Sequence, residues 1–273
     1  MDEPERIPGE PTRLSALNSL SKCSGLVAAR SVVSGDSGQA ADTGTGVGRG
    51  VELWHRGVDY SSLAKQLTAE QPTEFAKADM NDVHRIVLAY VNDERNRPDV
   101  VLTDSLELTV HLELEPDEDD PTGLPIKLKG HTDQVRYAFP DHPQREELGL
   151  QLWDVKNGRA SGEDMTRDYA FQLCAYTVAL EGHYGAGEIS LGGVIRTKGY
   201  IARGKPDPSQ ANVFFPMPWT MEQCRAVLDT ARYLIGQIRA GAIPHTPGSW
   251  CRYCPLSYPT CATGGLRRLL EDK

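Results

Sequence analysis

Apolar residues recur along this chain with two different periods, and the changes of period divide it into elements. Alternation at period two, bounded by turn residues, predicts strands over Val100–Leu102, Leu106–Leu114, Ile126–Tyr137 and Leu148–Lys156. Further strands are predicted over Glu188–Ile195, Gly199–Ala202 and Asn212–Met217. Helical spacing predicts a short helix within Leu14–Val33, one over Val51–Leu67 built on Leu53, Trp54, Val58 and Leu63, and one over Ala78–Asn92. Ser161 with Asp164 reads as a capping box before a helix from Met165 to Leu180, with Gly182 as its stop. Thr220 with Gln223 reads as a second, before a helix that sets Met221, Cys224, Val227, Leu228, Ala231, Leu234, Ile235 and Ile238 on one broad face and ends at Gly241 and Pro244. Strands that alternate with helices in this way predict an α/β fold, a central mixed sheet flanked by helices. Residues 1–12 read as a disordered arm. The stretch Ser34–Gly50 (SGDSGQAADTGTGVGRG) reads as a glycine-rich connection. Its GTGVG run is not a phosphate loop, because no GK[ST] follows and no strand precedes it.

Composition narrows the classes. The chain has 273 residues, 39% hydrophobic and 25% charged, enough for one sizeable core or two small ones. Its net charge of −9 argues against a protein that coats nucleic acid by bulk electrostatics. Part of the acidic excess is the run Glu113–Asp120, which reads as a solvated hairpin loop. Basic residues gather instead around the segments richest in candidate chemistry: Arg136, Lys156, Arg159, Arg167, Arg196, Lys198, Arg203 and Lys205. No apolar run approaches the roughly 18 residues that span a bilayer. The acidic, proline-rich start is neither a signal nor a transit peptide. The expectation is a protein of the reducing cytoplasm with no membrane contact, whose six cysteines are thiols or metal ligands.

The segment LQLWDVKNG carries the central chemical signal. On a strand, Leu150, Leu152, Asp154 and Lys156 share one face, so two apolar residues lead into an acid and a base. Alone, D-x-K is most often a surface ion pair. The preceding strand ends in GHTD, however, and an antiparallel hairpin turning near Asp141–Arg145 brings Asp133 beside Asp154. Two converging carboxylates suit a hard cation such as Mg²⁺ or Mn²⁺. A bound ion of that kind polarises a phosphoryl group and lowers the pKa of its water, and a lysine stabilises charge on the phosphorus. Gln172 and Tyr176 lie one helical turn apart on one face; taken alone, a core tyrosine with an incidental glutamine is the simpler reading. His55 could complete a Mn²⁺ shell, although a lone histidine in an amphipathic helix is more often surface or core.

In order and spacing, GHTD, WDVKNG and QLCAY resemble the G-x-x-D, D-x-K and Q-x-x-x-Y signatures of RecB-like PD-(D/E)XK nucleases, over roughly residues 50–200. The glycine-rich lead to His55 is similar to that family's first histidine motif, one residue longer than the pattern. The resemblance implies a restriction-endonuclease-like core. It implies that His55, Asp133, Asp154 and the Val155 carbonyl hold the metal, that Lys156 is the catalytic lysine, and that Gln172 and Tyr176 contact DNA or position the lysine. The implied activity is metal-dependent hydrolysis of DNA, as an exonuclease on single-stranded or frayed ends. Its setting would be recombination, repair, phage DNA processing or CRISPR adaptation, with the proteins of those pathways as partners.

Cys251, Cys254 and Cys261 form C-x2-C-x6-C, and Cys23 is the natural fourth ligand of a tetrathiolate site. Cys174 and Cys224 read as core thiols. One cysteine before the nuclease core and three after it is similar to the iron–sulfur members of the family, the AddB-type and CRISPR-associated nucleases, which implies a 4Fe–4S cluster, with zinc as the alternative. The expected division is an arm at 1–12, a segment at 13–49 supplying Cys23, a nuclease core at 50–240 and an iron–sulfur segment at 241–273, the lobe being assembled from both termini. Two other classes remain open at this point: a catalytically silent DNA-binding subunit and a zinc-stapled adaptor.

Overall fold

A computed structural model describes residues 10–20, 22–32, 38–137, 149–158, 163–202, 205–206, 213–217, 219–242, 251 and 254. The expected turn at Asp141–Arg145, the Ser161 cap and Cys261 lie outside the described residues, as do Arg159 and Arg203.

The central sheet has the order β3-β4-β5-β8, formed by β3 (Gln134–Tyr137), β4 (Leu150–Lys156), β5 (Ile189–Arg196) and β8 (Phe214–Pro216). β3 and β8 run antiparallel to their neighbours, while β4 and β5 are parallel, so the sheet is mixed as the pattern predicts. The parallel pair needs a crossover. It is supplied by the helix Glu163–Tyr184, called α6 here because it follows α1 (Leu17–Leu20), α2 (Ser24–Val32), α3 (Gln39–His55), α4 (Tyr60–Glu74) and α5 (Met80–Val91). The last long helix, α7, spans Met221–Arg239 with the Thr220/Gln223 capping box in place, and Gly241 follows it with φ +72°.

Both faces of the sheet are covered. Leu152, Leu191 and Val194 pack into a core with Leu173, Cys174, Cys224, Leu228 and the N-terminal Leu14 and Leu17. Trp153 and Ile195, pointing the other way, meet Val51, Tyr90 and Tyr200. Coverage on both sides explains why β4 is buried almost continuously rather than alternately.

Several expectations are corrected. The glycine-rich stretch is not a connection: from Gln39 onward it is helix, α3, ending at His55. Its glycines report close packing. A Cβ on Gly50 would lie 2.6 Å from Val87 Cγ2, and one on Gly46 would lie 3.1 Å from Val83 Cγ2. The helix expected over Val51–Leu67 is two helices, broken where Gly57 takes φ +84° and Asp59 caps α4 through the Ser61 and Ser62 amides. The Leu14–Val33 helix is a 3-10 turn at Leu14–Ala16 followed by α1 and α2. Val100–Leu102 is not a full strand: Val100 ends a 3-10 turn over Pro98–Val100, Val101 makes an isolated bridge to Arg136, and the Leu102 amide donates to the Val135 carbonyl. The strand expected over Gly199–Ala202 is half present: Gly199 and Tyr200 end a 3-10 turn, Thr197–Tyr200, and Ile201–Ala202 form the short β6, which pairs with β7 (Lys205–Pro206). The crossover helix runs past Gly182 to Tyr184, and Gly185 with φ +103° follows it.

Ile126–Tyr137 is not one strand. β2 (Ile126–His131) pairs with β1 (Thr109–Leu114), the chain changes sheet at Thr132 and Asp133, and β3 then pairs with β4. Residues 1–9 of the expected arm lie outside the described residues, but Glu10 is buried and the Thr12 carbonyl accepts the Lys129 amide. Nor is the acidic run wholly solvated. Asp120 forms a 2.7 Å ion pair with Arg239, which pairs at 2.7 Å with Glu10 as well.

Candidate active site

Asp133 stands at the change of sheet, between strands, because Thr132 turns its side chain to the Ser105 carbonyl and ends the β1–β2 ribbon there. Its Oδ2 accepts the Val155 amide at 2.6 Å. A strand residue sends its N–H and C=O to the same side, so the Val155 carbonyl faces the Asp133 edge as well. Asp154, one residue back on β4, points to the opposite face and is buried. Lys156 Nζ lies 2.6 Å from Asp154 Oδ2 and 3.9 Å from Asp133 Oδ2. β4 therefore delivers an acid and a base to one end of one face, and the sheet change delivers the second acid to them.

The crossover helix closes this face. Gln172 Nε2 donates to Asp154 Oδ1 at 3.3 Å, and Gln172 Oε1 accepts from the Asn18 side chain. The Tyr169 ring centroid lies 5.5 Å from Lys156 Nζ, within cation–π range. Tyr176 packs over Gly130, where an added Cβ would lie 2.6 Å from its hydroxyl. The glycine of GHTD thus makes room for the tyrosine of QLCAY.

Burial sets the electrostatics. Burial pushes the Asp154 carboxyl above the ordinary carboxylate range, with Asp133 adding to the effect and Lys156 opposing it. Burial works against charge on Lys156 too, but Asp154 and Asp133 outweigh it and hold the ammonium charged. Each group depends on the other for its charge.

On the other side of β4, a cavity of about 390 Å³ is lined by Asp133, Val155, Glu107 and a face of α3 that includes Gly44, Gly48 and Glu52. Glu107 sits in the left-handed backbone region, φ +55°. Glu52 is held by Arg49 and Arg56, both at 2.8 Å. Neither glutamate stood out in the sequence. Residues 44, 48 and 52 share a face only on a helix, and that stretch reads as a loop by composition.

His55 is not brought to the two aspartates. Its Nε2 is 2.8 Å from the Tyr90 hydroxyl, and it is buried. Among the described residues no three His, Cys, Asp or Glu side chains gather closely enough to hold an ion. Arg136 is also structural: it is buried and bonds Asn96 and the Arg95 carbonyl.

The two aspartates still fit a hard cation. Asp154 Oδ2 is buried beside the Lys156 ammonium, Asp133 adds a half-buried carboxylate, and the Val155 carbonyl faces the same edge. Mg²⁺ takes one or two carboxylates and fills its octahedron with water and substrate phosphate, so a third side chain is not required.

A carboxylate pair and a lysine at the end of a doubly covered mixed sheet suit a divalent cation with a phosphate beside it. The profile of the PD-(D/E)XK nuclease superfamily matches residues 15–258, and the chain belongs to that superfamily. None of the curated proteins searched matches it. No helix among the described residues is long and apolar enough to cross a membrane.

Proposed function

We propose that this nuclease is a RecB-like, Mg²⁺- or Mn²⁺-dependent deoxyribonuclease that degrades DNA from single-stranded or frayed ends, in recombination, repair, phage DNA processing or CRISPR adaptation. The observation that carries the reading is the contact of Lys156 with both Asp154 and Asp133 where β4 ends. Asp133, Asp154 and the Val155 carbonyl would hold the ion, which when bound polarises the phosphoryl group and acidifies its water. Lys156 holds a positive charge where negative charge develops on the phosphate oxygens. Gln172 fixes the Asp154 carboxylate, and Tyr169 keeps an aromatic face over the ammonium.

The test is incubation with Mn²⁺ and end-labelled single- and double-stranded DNA. Mononucleotides or short oligonucleotides should accumulate from free ends, and Lys156→Ala should lower the rate by about 100-fold or more while the protein stays folded. Equal cutting of closed circular DNA would refute the end preference. A fully active Lys156→Ala protein would refute the site.

We also propose that Cys23, Cys251, Cys254 and Cys261 bind a 4Fe–4S cluster. Two placements support this. The Cys254 amide donates to the Cys251 carbonyl at 3.1 Å, holding these two cysteines close. Cys254 also packs against the core that holds Val27 and Ala28 of α2, the helix that Cys23 precedes. Purified protein should be brown and contain iron, and Cys23→Ala should bleach it. Colourless protein loaded with zinc would decide for the alternative metal.

A further inference from the structure

We infer that Asn18, in the N-terminal segment, is a positioning residue of the active site that sets the orientation of the Gln172 amide and through it the Asp154 carboxylate. The inference rests on the nuclease reading for its kinetic consequence, but the hydrogen bond it starts from does not.

A glutamine side chain has two ends that differ chemically, a carbonyl that only accepts and an NH₂ that only donates. Either end of Gln172 could face Asp154. A carboxylate is satisfied only by the NH₂ end, and the carbonyl end would set oxygen against oxygen in a buried place. Gln172 lies on α6 with 3% of its surface exposed, so water cannot make good a wrong choice. Asn18 resolves it. Its Nδ2 donates to Gln172 Oε1, which leaves Gln172 Nε2 to donate to Asp154 Oδ1 at 3.3 Å. The chain of contacts continues from Asp154 Oδ2 to Lys156 Nζ at 2.6 Å.

Asn18 is itself held in place. It lies on α1 between Leu17 and the neighbouring Ser19, both buried, and the Ser19 hydroxyl accepts from Arg30 at 3.1 Å. Leu14, Leu17 and Leu20 fix the segment in the same core as Leu173, the residue after Gln172. A segment that by sequence offers only Cys23 thus reaches the catalytic carboxylate in two hydrogen bonds.

The experiment uses the full chain. Asn18→Leu keeps the size and removes the donor. Asn18→Asp removes the donor and offers an acceptor, which invites the Gln172 NH₂ to turn away from Asp154. With Mn²⁺ and saturating single-stranded DNA, Asn18→Leu should lower kcat by about fivefold and Asn18→Asp by more, with KM changed by less than about twofold, as for an interaction made away from substrate. In a Gln172→Ala background neither substitution should lower kcat further, because the residue they act through is gone. Additive losses in the double variants, or a rise in KM with unchanged kcat, would overturn the inference.

A double-mutant cycle on the denaturant midpoint reads the hydrogen bond without any activity. The midpoint loss caused by Asn18→Leu should shrink in the Gln172→Ala background, and an unchanged loss would also overturn the inference. If the wild type does not cleave DNA, the nuclease reading falls, and the denaturation cycle still decides whether Asn18 orients Gln172.

Discussion

His55 shows how one residue type carries opposite meanings in sequence and in place. In sequence it follows a glycine-rich helix and resembles a metal ligand; in the fold it faces Tyr90 in a buried network that also includes Gln134. Burial, with the Arg136 guanidinium acting in the same direction, lowers its pKa to about 3. The sign for stability follows. Below the ordinary value of about 6.5 the unfolded chain takes up a proton that the folded imidazole refuses, so the folded state loses about 1.4 kcal/mol per pH unit until about pH 3. Between pH 6.5 and 4.5, wild type should lose about 2 to 3 kcal/mol more stability than His55→Gln, measured by urea unfolding at each pH. Parallel pH profiles for the two proteins would show that the imidazole takes up its proton as readily in the fold as in the unfolded chain. Asp154 and Lys156 are different, since strand alternation puts them on one face, where the structure has them 2.6 Å apart, whereas the place of Gln172 beside Asp154 comes only from the family resemblance. Tyr169 and Asn18 were not legible, because only tertiary packing brings an aromatic to the lysine and an amide from residue 18 to residue 172.

Elements whose period is strong survive the comparison, and elements judged by composition do not. β4, β5, α5 and α7 are where alternation or capping chemistry puts them, to within a few residues. α3 is the counterexample. Glycine signals a loop by propensity, yet on α3 alternate glycines serve two surfaces, Gly46 and Gly50 against α5, Gly44 and Gly48 against the cavity. Tertiary packing overrides propensity here. The two surfaces predict opposite outcomes for one substitution. Gly48→Ala meets nothing within 4 Å and should stabilise the protein by up to about 1 kcal/mol. Gly50→Ala pushes a methyl to 2.6 Å from Val87, a β-branched side chain with little freedom to move, and should cost about 1 to 2 kcal/mol net. Thermal unfolding of the two variants checks this, and equal shifts of the same sign would refute the packing account.

At the scale of the whole molecule, the Arg239 ion pairs join the N-terminal stretch, the loop between β1 and β2, and the last turn of α7. The Arg239 and Asp120 side chains are 1% and 0% exposed, and that of Glu10 is 11% exposed. Burial raises the Glu10 pKa, with Arg239 pulling the other way. Taking away one partner of such a group leaves buried charge uncompensated, which costs about 3 to 5 kcal/mol. Arg239→Met should therefore lower stability by that amount despite a similar length. A loss under about 1 kcal/mol would mean that the two carboxylates find water instead. Nothing local in the sequence foretells this contact, because its members are 229 and 119 positions apart.

That separation also has a consequence in time. A chain leaving the ribosome presents Glu10 and Asp120 long before Arg239 exists, so for much of synthesis these two acids must stay hydrated and the surfaces around them open. During synthesis the clasp can close only after α7 has emerged. Substitutions at Arg239 should leave the refolding rate within about twofold of wild type and speed unfolding instead, the behaviour of a contact absent from the transition state. Stopped-flow refolding and unfolding arms of Arg239→Met would show it, and a slowed refolding arm would place the clasp in the folding nucleus. If only the unfolding arm is faster, the clasp acts as a brake on escape from the native state, lengthening the lifetime of the folded protein while leaving its rate of assembly unchanged.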